Sequence, residues 1–209
     1  MKRNYVSNSE NSIRLFKNGL LDRLSKVHFT VPLYIYIPVI CYFLYKAFAN
    51  HVGIGVLVLC FLAGLFIWSI TEYVLHRFVF HYEPDSEFGK KLHFIFHGVH
   101  HDYPRDKKRL VMPPSASIPL ALLFYFLFYL LLPPHYLLGF FPGFLAGYLV
   151  YDMLHYFMHH GNFKNPVLKK IKQHHMLHHY KESDKGFGVS TAIWDVVLKS
   201  DFQKQGDQK

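Results

Sequence analysis

Four histidines stand within the ten residues HFIFHGVHHD, His93–Asp102. Imidazole is the commonest side-chain metal ligand, binding through a neutral ring nitrogen. Thirteen of the sixteen histidines fall in four clusters: His76 and His81; His93, His97, His100 and His101; His155, His159 and His160; His174, His175, His178 and His179. Residues at i and i+4, or i and i+3, share one face of a helix, whereas i and i+1 point about 100° apart. His97 and His101 therefore address one ion while His100 swings toward a second. His175 and His179 repeat the pattern with His178 turned away, and His155 and His159 form a further i, i+4 pair. His76 and His81, five apart, misalign by about 140° on an ideal α-helix, so His81 is expected past the helix end. The sum is ten ligands for two metal ions. His76, His81, His97, His101 and His178 are assigned to one, and His100, His155, His159, His175 and His179 to the other. His93, His160 and His174 remain as outer partners.

Metal-bound imidazoles usually donate their second N–H to a carboxylate or a carbonyl. Glu72 lies one turn before His76 and Asp152 three residues before His155, both at the ends of apolar runs. A carboxylate there is unfavourable unless paired, so each is expected to orient its neighbouring histidine. Asp195, in GFGVSTAIWD, is a third candidate for this role. The chain has no HExxH and no carboxylate beside a ligand pair to act as a base, which disfavours a hydrolytic zinc enzyme.

The elements that must position these rings are apolar. Of 209 residues, 51% are hydrophobic, and they gather into four runs of the length a bilayer requires. Transmembrane helices are expected at about 29–49, 52–75, 116–132 and 136–158, in two hairpins pinched at Asn50–His51 and Pro133–Pro134. Lys and Arg number six in residues 1–28, six in 82–115 and nine in 161–209, and none at the two hairpin tips. By the positive-inside rule both termini and the central segment are cytoplasmic. From Val52 to His76 is roughly 36 Å of helix, and from Tyr136 to His155 roughly 29 Å. All four histidine clusters therefore reach one membrane surface. The single histidines His28, His51 and His135 flank spans as interfacial residues.

The expected fold is an all-α integral membrane protein: four transmembrane helices in two hairpins, with a cytoplasmic helical cap (76–115 and 159–195) holding a histidine-ligated di-metal site. Residues 1–28 form a cytoplasmic N-terminal segment, 29–195 a single domain, and 196–209 a tail whose last residues, Gln203–Lys209, are expected to fray. The net charge of +9 reflects topology and attraction to anionic lipid, and no pattern of a nucleic-acid module appears. Cys41 and Cys60, inside expected spans, serve as small apolar residues, and the N-terminus lacks a cleavable signal core. A metal transporter needs a polar path through the bilayer, which the apolar middles of these spans do not offer.

The order HxxxxH, HxxxHxxHH, HxxxHH, HxxHH across four spans resembles the fatty acid hydroxylase superfamily of membrane di-metal oxygenases. The words EYVLHRFVFH (Glu72–His81), HFIFHGVHHDYPRDKKRLVMPP (His93–Pro114) and HHMLHHYKESDKGFGVSTAIWD (His174–Asp195) resemble the fatty acid 2-hydroxylases in particular. The resemblance spans roughly Ile70–Asp195. It implies hydroxylation of carbon 2 of a long acyl chain, typically the N-acyl chain of a ceramide or related sphingolipid. Eukaryotic members commonly carry an N-terminal cytochrome b5 domain. Only 28 residues precede the first expected span here, so a separate donor, cytochrome b5-like or ferredoxin-type, is expected to supply electrons. A bacterial inner membrane is the expected location, or the endoplasmic reticulum in a eukaryote.

Breaking an unactivated C–H bond requires a redox-active metal, O2 and two electrons, and the protein contributes ligation, orientation and exclusion of water. Two iron ions are expected for activity. Zinc binds imidazole more tightly than ferrous iron in the usual order, so purified protein can contain zinc, which has no redox chemistry. Lys107, Lys108 and Arg109 are candidates for contact with a lipid head group, and Tyr180 and Trp194 for the entrance to the site. A sterol desaturase or carotenoid hydroxylase of the same superfamily is the alternative enzyme, and a histidine-rich metal-binding or transport protein the non-enzyme alternative.

Overall fold

The computed structural model describes residues 6–202, and the regular elements among them are all helical. They are α1 (Gly19–Leu24), α2 (Val31–Ala49), α3 (Ile54–Val74), α4 (Glu87–His93), α5 (Val99–Asp102), α6 (Pro114–Leu131), α7 (Pro134–His160), α8 (Pro166–Tyr180) and α9 (Ile193–Val197). Two π-helical segments, Leu75–Phe80 and Phe94–Gly98, continue α3 and α4. The expected frayed end, Gln203–Lys209, lies outside the described residues. Helix starts follow the turn chemistry. Proline opens α6, α7 and α8 at Pro114, Pro134 and Pro166, where its missing N–H leaves no helix bond unmade. Asn165 caps α8, its Oδ1 accepting from the N–H groups of Val167 and Leu168 at 2.9 and 3.2 Å. The turn between α2 and α3 passes through His51 in the left-handed region, at φ 54°.

Four helices are long and apolar enough to cross a membrane: α2, α3 with its π extension (Ile54–Phe80), α6 and α7. Their bounds fall within two residues of the expected spans except at the C-terminal end of the second, which runs five residues further. The first three are only 11–17% buried over their most apolar stretch, whereas α7 is 67% buried. α7 is therefore the central helix and the others turn apolar side chains outward, as lipid-facing spans do.

Residues Ser12–Thr71 and Lys107–Met153 form one compact unit. Gly139, Gly143 and Gly147 recur every four residues along one face of α7. They meet Gly64 and its neighbours on α3: a Cβ on Gly143 would overlap the backbone of Phe61, and one on Gly64 the carbonyl of Phe140. Small residues at this spacing let two membrane helices touch backbone to backbone, where dispersion replaces the absent hydrophobic drive. Trp68 closes the contact, its ring edge-on to Phe144 at 5.1 Å and to Tyr148 at 5.3 Å. Phe128 of α6 and Phe43 of α2 pack on Phe144 and Phe141 at 5.0 and 5.2 Å.

The described residues 6–11, Glu72–Asp106 and 154–202 form the other unit. It carries all thirteen clustered histidines and is described below.

Overpacking the helix contact should unfold it. Gly143→Leu is expected to cost about 3 kcal/mol or more, read as a lower melting temperature or loss of a monodisperse peak in detergent. Leu122→Ala, at a side chain 61% exposed, should stay within about 0.5 kcal/mol of the parent.

Candidate metal centre

Ten imidazoles meet in two groups of five. The nitrogens of His76, His81, His97, His101 and His178 lie within 4.8 Å of one another, and so do those of His100, His155, His159, His175 and His179. These are the sets that the spacing assigned to separate ions. In the first group the Nε2 atoms are 3.0–3.2 Å apart around the ring of neighbours His76–His97, His97–His101, His81–His178 and His76–His81. In the second, His100 and His155 are 2.8 Å apart and His159 and His175 3.0 Å. The groups adjoin: His101 and His179, one from each, stack at 4.2 Å.

The local helix geometry explains how partners five apart in sequence meet. His81 is the first residue past the helix end, as expected, but the helix before it is not regular. It widens at Leu75–Phe80, where the N–H of His81 bonds the carbonyl of His76 at 3.1 Å. That i→i+5 turn brings the two Nε2 atoms to 3.2 Å. A second π segment ends at Gly98, just past His97. The i, i+4 pairs need no such device. On α8, His175, His178 and His179 are buried, while Lys169, Lys170 and Gln173 are exposed on the far face.

Burial sets the charge state. Loss of water, reinforced by neighbouring rings, holds His97, His100, His101, His175 and His179 well below the ordinary imidazole range. The same causes lower His81 and push His178 down to about 3. At pH 7 these rings are neutral, the form that binds a metal. Adjacent ligands about 2.1 Å from one ion are about 3.0 Å apart at right angles and about 3.4 Å apart in a tetrahedron. The 3.0–3.2 Å edges of the first group are short enough for its nitrogens to share one ion, and all-imidazole donors suit first-row transition metals.

The hydrogen bonds behind the rings differ from expectation. Nδ1–H of His76 donates to the carbonyl of Phe187, and Nδ1–H of His178 to the carbonyl of Lys185 at 2.6 Å. Glu72 accepts instead from the N–H groups of Val189 and Ser190, at 2.9 and 2.7 Å, and from the Ser190 hydroxyl. Asp195 accepts from the N–H groups of Phe187 and Gly188, both at 2.8 Å, from Ser200 Oγ at 2.8 Å and from His174 Nε2 at 3.1 Å. Burial pushes the Asp195 carboxyl up, but these donors outweigh it and hold it below the usual range. Behind Ser200, Tyr73 and Arg77 continue the line of donors at 2.6 and 2.7 Å. Gly186 adopts φ +69°, and a Cβ on Gly188 would meet Asp195 Oδ2 at 2.9 Å, so both glycines are required by the turn.

The other residues singled out from the sequence take varied places. Asp152 is buried in its own unit and accepts from the Met112 N–H at 3.3 Å. His93 is half-buried near His81, and the His160 ring packs on Tyr156 at 5.1 Å. Tyr180 is exposed and Trp194 half-buried. Lys107 and Lys108 are exposed, but Arg109, expected at a lipid head group, is buried. Its guanidinium donates to the Ile13 carbonyl at 2.8 Å, to Ser25 Oγ at 2.9 Å and toward Asp22 at 3.4 Å. It braces the N-terminal segment of its unit. Sequence reasoning missed Ser190, Ser200, Tyr73 and Arg77, and the two accepting carbonyls. The glycines of GFG were the one available sign of a tight turn.

Fold and site together define a multi-pass membrane protein whose buried, neutral imidazoles can hold metal ions. The chain belongs to the fatty acid hydroxylase family, whose model matches residues 61–200. It is 36% identical over 186 residues to the dihydroceramide fatty acyl 2-hydroxylase FAH1 of Arabidopsis thaliana, covering 88% of this chain and 78% of that one. It is 41% identical to the ceramide very long chain fatty acid hydroxylase SCS7 of Saccharomyces cerevisiae, over 90% of this chain and 49% of that one. It is 38% identical to the fatty acid 2-hydroxylase of Homo sapiens, over 89% of this chain and 56% of that one. The chain thus spans about half the length of the yeast and human relatives. Its fold matches a structure of full-length Scs7p in which only the hydroxylase domain is visible, with TM-score 0.85 and 38% identity over 90% of this chain and 71% of that one. The chain is a membrane-bound hydroxylase, an oxidoreductase.

Removing the Arg109 brace should weaken the fold and leave the site alone. Arg109→Ala is expected to cost about 3 kcal/mol, seen as a lower melting temperature, with the KM for lipid unchanged. A raised KM at parental stability would return Arg109 to a substrate role.

Proposed function

We propose that the protein hydroxylates carbon 2 of a long acyl chain, the N-acyl chain of a ceramide or related sphingolipid. Two iron ions and O2 serve the reaction, with electrons from a donor protein of cytochrome b5-like or ferredoxin type. One observation carries this reading: two five-imidazole groups lie in a chain that aligns over 88% of its length with a dihydroceramide fatty acyl 2-hydroxylase. A relative named for fatty acid 2-hydroxylation aligns over a similar share. The chemistry that iron supplies when bound is the two-electron reduction of O2, which with two protons leaves one oxygen atom in the C–H bond and the other in water.

The chain's own residues do the rest. Burial keeps His97, His100, His101, His175 and His179 neutral, so their lone pairs are available, and no carboxylate adds charge to the donor set. The turn at 185–190 fixes two of the rings. We assign residues 29–195 to one hydroxylase domain, with both termini on the cytoplasmic face, a topology that the placement of Lys and Arg supports. Carbon 2 adjoins the polar end of an acyl chain. His76 and His155 stand near the C-terminal ends of their helices, so such a site meets carbon 2 without drawing the head group into hydrocarbon. Lys107 and Lys108, both exposed, are assigned to the head group, and Tyr180 and Trp194 to the entrance.

Iron-loaded protein, given labelled ceramide, 18O2 and a reducing system, should yield a 2-hydroxyacyl product carrying one 18O atom. Zinc-filled protein should fold alike and yield none. Absence of product from verified iron-loaded protein, or hydroxylation at another carbon, would overturn the assignment. A desaturated sterol or a hydroxylated carotenoid would point to the sister activities. His97→Ala and His100→Ala should each lower the metal content from about two ions to about one, measured by elemental analysis of protein with unchanged helicity. Retention of both ions by both variants would remove these rings from the ligand set.

A further inference from the structure

The stretch 187–190 belongs to no helix and pairs with no strand, yet all four of its N–H groups are satisfied. Phe187 and Gly188 donate to Asp195, and Val189 and Ser190 to Glu72. Both carboxylates are buried, at 0% and 4% exposure. Buried carboxylates need such donors, and backbone N–H groups outside regular structure need such acceptors. The result is a turn clamped from two sides. What it presents outward is a pair of carbonyls, those of Lys185 and Phe187, which take the Nδ1–H of His178 and His76. This fixes one tautomer in both rings and aims both Nε2 lone pairs at their group.

Three rings of the second group lack this support. The Nδ1 atoms of His100, His175 and His179 are buried and have no hydrogen-bond partner among the described residues. No acceptor among the described residues fixes their tautomer or raises the basicity of the opposite nitrogen. Loss of such outer partners typically costs 10- to 100-fold in metal affinity.

We propose that Asp195 and Glu72 are positioning residues for one ion only, acting through the clamped turn, so that the two groups hold their ions unequally: the His76 group tightly, the His100 group loosely. This rests on the metal-centre reading above.

Two-metal protein, loaded with Co2+ so that each ion reports its own visible spectrum, would be titrated with a chelator. The parent should release its ions in two phases separated by about tenfold or more in affinity. His179→Ala should lack the easily lost ion. Asp195→Asn should weaken the retained ion by about 10- to 100-fold, merging the phases, and should alter the spectrum of that ion. Ser190→Ala, which removes only the hydroxyl bond to Glu72, should leave both phases near parental. Release of both ions from the parent in one phase overturns the proposal, and this outcome is read without any variant. So does an Asp195→Asn variant that melts earlier but keeps parental phases and spectrum, since its role is then structural. Protein that binds fewer than two ions sinks the metal centre itself and the asymmetry with it. Two ions, 2-hydroxylated product and a single release phase would sink the asymmetry alone.

Discussion

The structure depends on keeping buried imidazoles uncharged. An ionised ring without water or a counter-charge is strongly disfavoured, and rings packed side by side compound the penalty. Desolvation and mutual repulsion act in the same direction on His97, His100 and His101, so the cluster holds itself in the state that binds metal. A neutral imidazole has one N–H and one lone pair. Turning every lone pair inward therefore turns every N–H outward, toward a shell that must accept it.

For His76 and His178 that outer shell is built from backbone, whereas His100, His175 and His179 find no acceptor among the described residues. Carboxylates near histidines in the sequence invite a direct link from acid to ring. Glu72 and Asp195 instead take up the backbone N–H groups of one turn, and the turn's carbonyls take up the rings. A carbonyl accepts a proton donor without adding charge beside the metal, whereas a carboxylate in contact with a ligand ring would raise the negative charge of the centre. Two acids thus exert their influence at one remove.

Much of this was legible in the sequence because it is periodic. The i, i+4 histidine pairs fix which rings share a face, and the apolar runs fix four membrane-capable helices, since both depend on a regular 3.6-residue turn. What departs from that turn was not legible. The π segment that draws His81 to His76 has no mark in LHRFVF that distinguishes it from ordinary helix. Carbonyls that accept from His76 and His178 belong to the backbone of Phe187 and Lys185 and carry no side-chain signature. Gly139, Gly143 and Gly147 stand openly at four-residue spacing, but their meaning needs the partner helix that they touch. Arg109 shows the converse limit: three adjacent basic residues look alike as letters, and only tertiary burial separates the third from Lys107 and Lys108.

His100 and His101 are consecutive, yet they face different groups, and so do His178 and His179. Two dipeptides therefore bridge the halves of the centre, each through a single peptide unit of fixed covalent length. Packing between helices can breathe by tenths of an ångström, but a peptide unit cannot stretch. A backbone shift at either dipeptide therefore moves a ring of each group together. Substituting either dipeptide would disturb both groups at once, where a change at His76 or His155 disturbs one.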